Sequence, residues 1–89
     1  MHELIDEVSG LFIDIANLVM ASSGLDGRLM FWDFSSHRLM AAVQHSAGLT
    51  VLQGFRDNGL VAVAALDRVV RVYDMQTYKL TRYSHCMAL

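Results

Sequence analysis

Apolar residues along this chain fall in short runs, each closed by a break rich in Asp, Asn, Ser or Gly. The run from Leu29 to Trp32 follows "GLDGR" and ends at Asp33. A similar run, in "LDRVVRVYDM", ends at Asp74. Short apolar runs bounded by turn residues read as β-strands. Four strands are expected in the first half: Gly10–Asp14, Leu18–Ser23, Leu29–Phe34 and Leu39–Val43. Four more are expected in the second: Leu49–Gln53, Leu60–Ala65, Val69–Met75 and Leu80–Tyr83. Asp26-Gly27 and Asn58-Gly59 supply the positive φ that tight hairpin turns require. One pattern competes. Leu4, Val8, Leu11, Ile15 and Leu18 lie at helical spacing, although Gly10 and Asn17 disfavour a helix there.

The two halves repeat at an offset of 41: Leu11 falls on Leu52, Asn17 on Asn58, Asp26 on Asp67, Trp32 on Tyr73, Asp33 on Asp74 and Leu39 on Leu80. A period of about 40 residues is that of four-stranded propeller blades. The repeat also favours strand over helix near the N-terminus. "GLFID" occupies the place of "VLQGF", and a repeated unit keeps one structure. The expected fold is all-β: two four-stranded antiparallel blades, residues 1–46 and 47–89, with a third unit beginning at His85.

Composition sharpens this. The chain has 89 residues and is 54% apolar, with a mean hydropathy of +0.34. So small a domain ordinarily needs a polar surface, so its apolar faces are expected either to enter a membrane or to be covered by neighbours. The apolar runs stop well short of the ~20 residues that span a bilayer, and no basic segment followed by an apolar core opens the chain. Neither membrane nor secretory targeting is therefore expected. The single cysteine, Cys86, allows no internal disulfide and suits a reducing, intracellular compartment. Residues 1–33 carry Glu3, Asp6, Glu7, Asp14, Asp26 and Asp33 against Arg28, whereas Arg68, Arg71, Lys79 and Arg82 stand against Asp74 in the last part. No arginine-rich run or aromatic signature turns that basic end into an RNA site, so solvated loop charge is the plainer reading.

The candidate chemistry is sparse. Ser22, Asp26 and a histidine could be grouped as a hydrolytic triad, but no G-x-S-x-G elbow is present. His37, His45, His85 and Cys86 match no zinc spacing. The glycines form no phosphate-cradling loop. No enzyme, cofactor, metal or small-molecule substrate is expected.

"SSGLDGRLMFWDF" resembles the core of a WD repeat, with Ser22, Asp26, Trp32 and Asp33 at that family's spacing. The resemblance implies a hydrogen-bonded tetrad of histidine, serine, aspartate and tryptophan. Ser22, Asp26 and Trp32 fill three places. His2 is the upstream histidine, and its spacing departs from the family's. In the second unit Asp67 and His45 are in place, but Val63 and Tyr73 replace serine and tryptophan, so that tetrad is expected to be broken and Asp67 to serve its turn. More narrowly, "VSGLFIDIANLVMASSGLDGRLMFWDF" and "FRDNGLVAVAALDRVVRVYDMQTYKLTR" resemble two consecutive blades of the Utp-twenty-one type of WD-repeat subunit of the small-subunit processome. That likeness implies part of a larger propeller and a non-enzymatic scaffold in the nucleolus. It also implies protein subunits as partners, indirect association with pre-ribosomal RNA and a small nucleolar ribonucleoprotein, and a role in small-subunit ribosomal RNA maturation. The alternative is a scaffold of another complex, such as a ubiquitin-ligase adaptor or a trafficking coat. Loop position alone nominates Ser35, His37, Arg38, Arg56, Asn58, Gln76, Tyr78 and Lys79 as partner contacts.

Overall fold

The computed structural model describes residues 8–55 and 57–85. Among these residues eight strands follow one another: β1 (Val8–Asp14), β2 (Val19–Gly24), β3 (Arg28–Asp33), β4 (Arg38–Gln44), β5 (Leu49–Phe55), β6 (Leu60–Ala65), β7 (Val69–Asp74) and β8 (Leu80–His85). They form two four-stranded antiparallel sheets, β1-β2-β3-β4 and β5-β6-β7-β8, each an up-and-down meander. The helical spacing near the N-terminus does not govern. From Val8 the chain is strand, paired through Gly10↔Ser23 and Leu11↔Ser22. His2, Arg56 and Cys86 lie outside the described residues, as does whatever follows His85.

The 41-residue repeat holds in the backbone as well as in the side chains. The bulge between Val8 and Gly10 in β1 recurs between Leu49 and Val51 in β5. The bulge between Phe31 and Trp32 recurs between Val72 and Tyr73. Among the described residues, the six of positive φ also pair at this offset: Leu18 (56°) with Gly59 (66°), Gly27 (90°) with Arg68 (66°), and His37 (61°) with Tyr78 (64°). In each pair the turn fixes the backbone, whether or not glycine is present to make it easy. Leu18 accordingly sits in the β1–β2 turn rather than opening β2, because a left-handed residue cannot continue a strand. Phe34 and Met75, expected as strand ends, lie one residue past β3 and β7.

The core lies between the sheets. Ala21, Leu29 and Phe31 of the first pack against Leu49, Val61, Val63, Ala65, Tyr73 and Met75 of the second. Phe12 of β1 projects onto β5 at Gly54, where any Cβ would run into its ring. A second, smaller cluster of Met20, Met30 and Trp32, with Ile13 and Phe34, covers the opposite face of the first sheet. Strands β2 and β3 are thus buried on both faces, as the continuous apolar run from Leu29 to Trp32 in β3 suggests. β8, the outer strand of its sheet, is exposed along its whole length.

Candidate functional site

Up-and-down connection places the turns on two rims. The β1–β2, β3–β4, β5–β6 and β7–β8 turns share one rim. The β2–β3 and β6–β7 turns and the β4–β5 link share the other.

The second rim carries the polar groups singled out in the sequence. On the first sheet, the Trp32 indole N–H donates to Ser22 Oγ at 3.2 Å in a buried environment. The bond is diagonal: Trp32 pairs with Met20 and Ser22 with Met30, so both side chains lie on one face. Asp26 stands outside that pair. Its carboxylate accepts the Arg28 backbone N–H at 3.1 Å and meets the Arg28 guanidinium at 3.3 Å, both at the surface. The structure therefore joins two members of the expected tetrad and leaves the aspartate to its turn. The β2–β3 turn is short enough for the carboxylate to cap it directly, and Arg28 supplies the charge. Ser22 is 1% exposed and its Oγ is engaged by the indole, so it is not placed as a nucleophile.

The second sheet adds a bond that the sequence reading did not include. His45 Nδ1 lies 2.9 Å from the carbonyl oxygen of Gly27, and Nε2 lies 2.7 Å from the Tyr73 hydroxyl. A carbonyl only accepts, so Nδ1 carries the proton; in the neutral ring Nε2 then accepts from Tyr73 O–H. Tyr73 thus reaches the histidine directly, past Val63, which has no hydroxyl to offer. The broken tetrad is replaced by a two-residue relay that also ties the second sheet to the first. The rings meet edge to face, with centroids 5.9 Å apart. Burial pushes the Tyr73 phenol above its usual range, with the Arg71 charge acting in the opposite direction.

Asp67 does serve its turn, accepting from Val69 N–H at 3.1 Å, and its other oxygen meets Arg71 at 3.0 Å. The bond from Arg71 is the first cause that holds the Asp67 carboxyl below the usual range. The second nitrogen of that guanidinium, Nη1, is buried without a partner among the described residues. The Asp67–Arg71 pair was not anticipated, although its i,i+4 spacing is visible in the sequence.

The first rim holds the proposed contact residues. Ser35 is committed to its turn: its backbone N–H and hydroxyl both donate to Asp33 Oδ1, at 2.9 and 2.8 Å, and Ser36 N–H adds a third bond. The Ser35 hydroxyl leads the causes that hold the Asp33 carboxyl below the usual range. Asp74 repeats the arrangement with the N–H groups of Gln76 and Thr77. His37, Arg38, Asn58, Gln76 and Lys79 are exposed on this rim. Tyr78 is not free. It is half-buried, with its ring 5.2 Å from that of Phe31, so the left-handed turn directs it into the core. A shallow cavity of about 200 Å³ opens here, bounded by Asn17, Trp32, Asp33, Met40 and Tyr78. Among the described residues no His, Cys, Asp and Glu side chains gather into a metal-binding group, and no helix is long and apolar enough to cross a membrane.

No family model matches the chain. Over 75 residues, 84% of its length, it is 33% identical to U3 small nucleolar RNA-associated protein 21 homolog of Schizosaccharomyces pombe. Over the same length it is 31% identical to WD repeat-containing protein 36 of Homo sapiens. The chain spans only 8% of each of these proteins. Among solved structures, the fold matches U3-55K with a TM-score of 0.82 at 13% identity, covering 89% of this chain and 26% of that one. It matches the β-propeller domain of Cps50 (Swd1) from Myceliophteria thermophila with a TM-score of 0.78 at 22% identity, covering 92% and 25%. At these identities the structural likeness speaks for the fold alone.

Proposed function

We propose, for a chain that is two blades of the WD-repeat β-propeller fold, a non-enzymatic scaffold role in an RNA-protein assembly that matures the small-subunit ribosomal RNA. The observation that carries this reading is the similarity over 75 residues to a protein named for association with U3 small nucleolar RNA. The architecture agrees with it. The conspicuous polar side chains are spent on turns and on the inter-sheet relay, so the exposed rim is left for contacts rather than chemistry. His37, Arg38, Asn58, Gln76 and Lys79 are the contact positions proposed, together with Arg56. Nucleolar location and protein-subunit partners belong to the same proposal.

The test is co-purification of RNA with the tagged protein from its source cells. Enrichment of U3 small nucleolar RNA over a matched small nucleolar RNA of another class is the expected result. Equal recovery of the two would overturn the reading and favour a WD-repeat scaffold of a different complex.

A further inference from the structure

The shallow cavity on the first rim has a charged end and an apolar wall. Tyr78 of the second sheet closes it against Leu18, Asp33 and Met40 of the first. At about 200 Å³ it is smaller than the ~300–1,000 Å³ of sites that take a cofactor or a drug-sized molecule, and suits a single side chain. Its charge comes from Asp33. Oδ1 of that carboxylate holds the turn donors of Ser35 and Ser36, and Oδ2 accepts none among the described residues. Arg38, opposite Asp33 in the strand register, is exposed and closes no ion pair with it among the described residues. Asn17 adds a second oxygen. Its Nδ2 donates to Asp14 Oδ2 at 2.9 Å, which orients the amide and leaves its side-chain carbonyl without a donor among the described residues. The wall supplies an independent observation. Leu18 holds a left-handed backbone, φ 56°, where the other sheet uses Gly59. Strain of that kind clusters at binding sites, and Leu18 lines this cavity, 46% exposed like Met40. The repeat keeps the polar pair as Asn58 and Asp74, but Gly59 and Thr81 take the places of Leu18 and Met40.

We propose that this cavity receives a lysine side chain of a partner polypeptide, its stem along Leu18, Met40 and Tyr78 and its ammonium on Asp33 and Asn17. Charge complementarity selects a cation, and the apolar wall selects one on a long aliphatic stem. The state of the carboxylate selects lysine over arginine. A guanidinium is favoured where both oxygens of a carboxylate accept its fork, but here Oδ1 is taken up by the turn. A compact ammonium needs only Oδ2 and the Asn17 oxygen. The site gives the contact role proposed for this rim a partner chemistry and rests on that role. Its test uses no RNA, so its failure is distinct from a failure to co-purify U3 small nucleolar RNA.

Nuclear magnetic resonance titration of the full chain with Nα-acetyl-lysine methylamide, its Nζ-acetylated form and the arginine analogue tests this. Saturable shifts at the amides of Asn17, Ser35 and Ser36 are expected with the lysine probe, at a Kd of roughly millimolar order. Neutralising the ammonium by acetylation, or replacing it by the guanidinium, should weaken binding about tenfold or more. Asp33→Asn keeps an oxygen for the turn and should cost the same factor. Asp74→Asn, the equivalent turn residue without the apolar wall, should cost nothing. Leu18→Gly removes part of that wall while relieving backbone strain, so it should weaken binding about threefold to tenfold in a chain that is no less stable. This last variant separates binding from folding should Asp33→Asn lose its strands by circular dichroism. No saturable shift, equal binding of the acetylated or arginine probe, equal losses in Asp33→Asn and Asp74→Asn, or full affinity in Leu18→Gly would each overturn the proposal.

Discussion

The Tyr73 hydroxyl lies 2.7 Å from Nε2 of His45, and the other ring nitrogen of that histidine rests on the Gly27 carbonyl of the neighbouring sheet. This pair does the work of a longer hydrogen-bonded chain whose serine and tryptophan the second sheet lacks. Tyr73→Phe leaves Nε2 without a donor at a part-buried site. The expected loss is about 1–2 kcal/mol, read as a lower urea midpoint with an unchanged slope. Restoring a tryptophan should need its serine. Tyr73→Trp alone should be more destabilising than Tyr73→Trp with Val63→Ser, with a coupling of roughly 1 kcal/mol in the double-mutant cycle. Additive changes would mean that the two positions do not communicate.

Gly54 faces the Phe12 ring across the inter-sheet core. Gly54→Ala should therefore destabilise by about 1–3 kcal/mol through overpacking, despite alanine's lower entropic cost of folding. Pairing it with Phe12→Leu should recover part of the loss. Equal midpoints for Gly54→Ala and the unaltered chain would place Phe12 elsewhere.

Leu18 and Arg68 hold left-handed backbone at positions where the other sheet uses Gly59 and Gly27. Relief of that strain makes Leu18→Gly and Arg68→Gly stabilising by roughly 1 kcal/mol each. Gly27→Ala should destabilise more than Gly59→Ala, because a Cβ on Gly27 would lie 2.5 Å from the His45 carbonyl oxygen, whereas one on Gly59 meets nothing. Thermal midpoints of the four variants check the order.

The depressed carboxyl of Asp67 and the raised phenol of Tyr73 give opposite pH dependences. A depressed folded pKa contributes stability above the ordinary carboxylate value of 3.8, and that stability is lost as pH falls through the folded value. Asp67→Asn should therefore flatten the acid limb of the stability profile. A raised folded pKa contributes stability that is complete below the ordinary phenol value of 10.0 and is lost as pH rises through the folded value. Tyr73→Phe should flatten the alkaline limb and leave the acid limb alone. Urea midpoints across pH measure both.

Strand number, the grouping into two four-stranded sheets and the repeat were legible because short apolar runs alternate with turn residues and recur at one offset. The boundary at Leu18 was not, because nothing in a leucine announces a left-handed backbone; only its equivalence to Gly59 does. The Ser22–Trp32 bond could be read from a motif. The His45–Tyr73 relay could not, because it joins a strand residue to a histidine of the β4–β5 link, 28 positions away, at a site where the motif's tryptophan and serine are missing. Tyr78 was misplaced for a related reason: loop position suggested exposure, whereas its backbone conformation turns the ring onto Phe31.

The central claim is that residues 8–55 and 57–85 form two look-alike sheets packed face to face at an offset of 41. Nuclear Overhauser spectroscopy tests it most directly. Contacts are predicted between the Phe12 ring and the α-protons of Gly54, and between the rings of Phe31 and Tyr73, whose centroids are 6.2 Å apart. Sequential amide contacts typical of helix from Val8 to Leu18, with no Phe12–Gly54 contact, would contradict it.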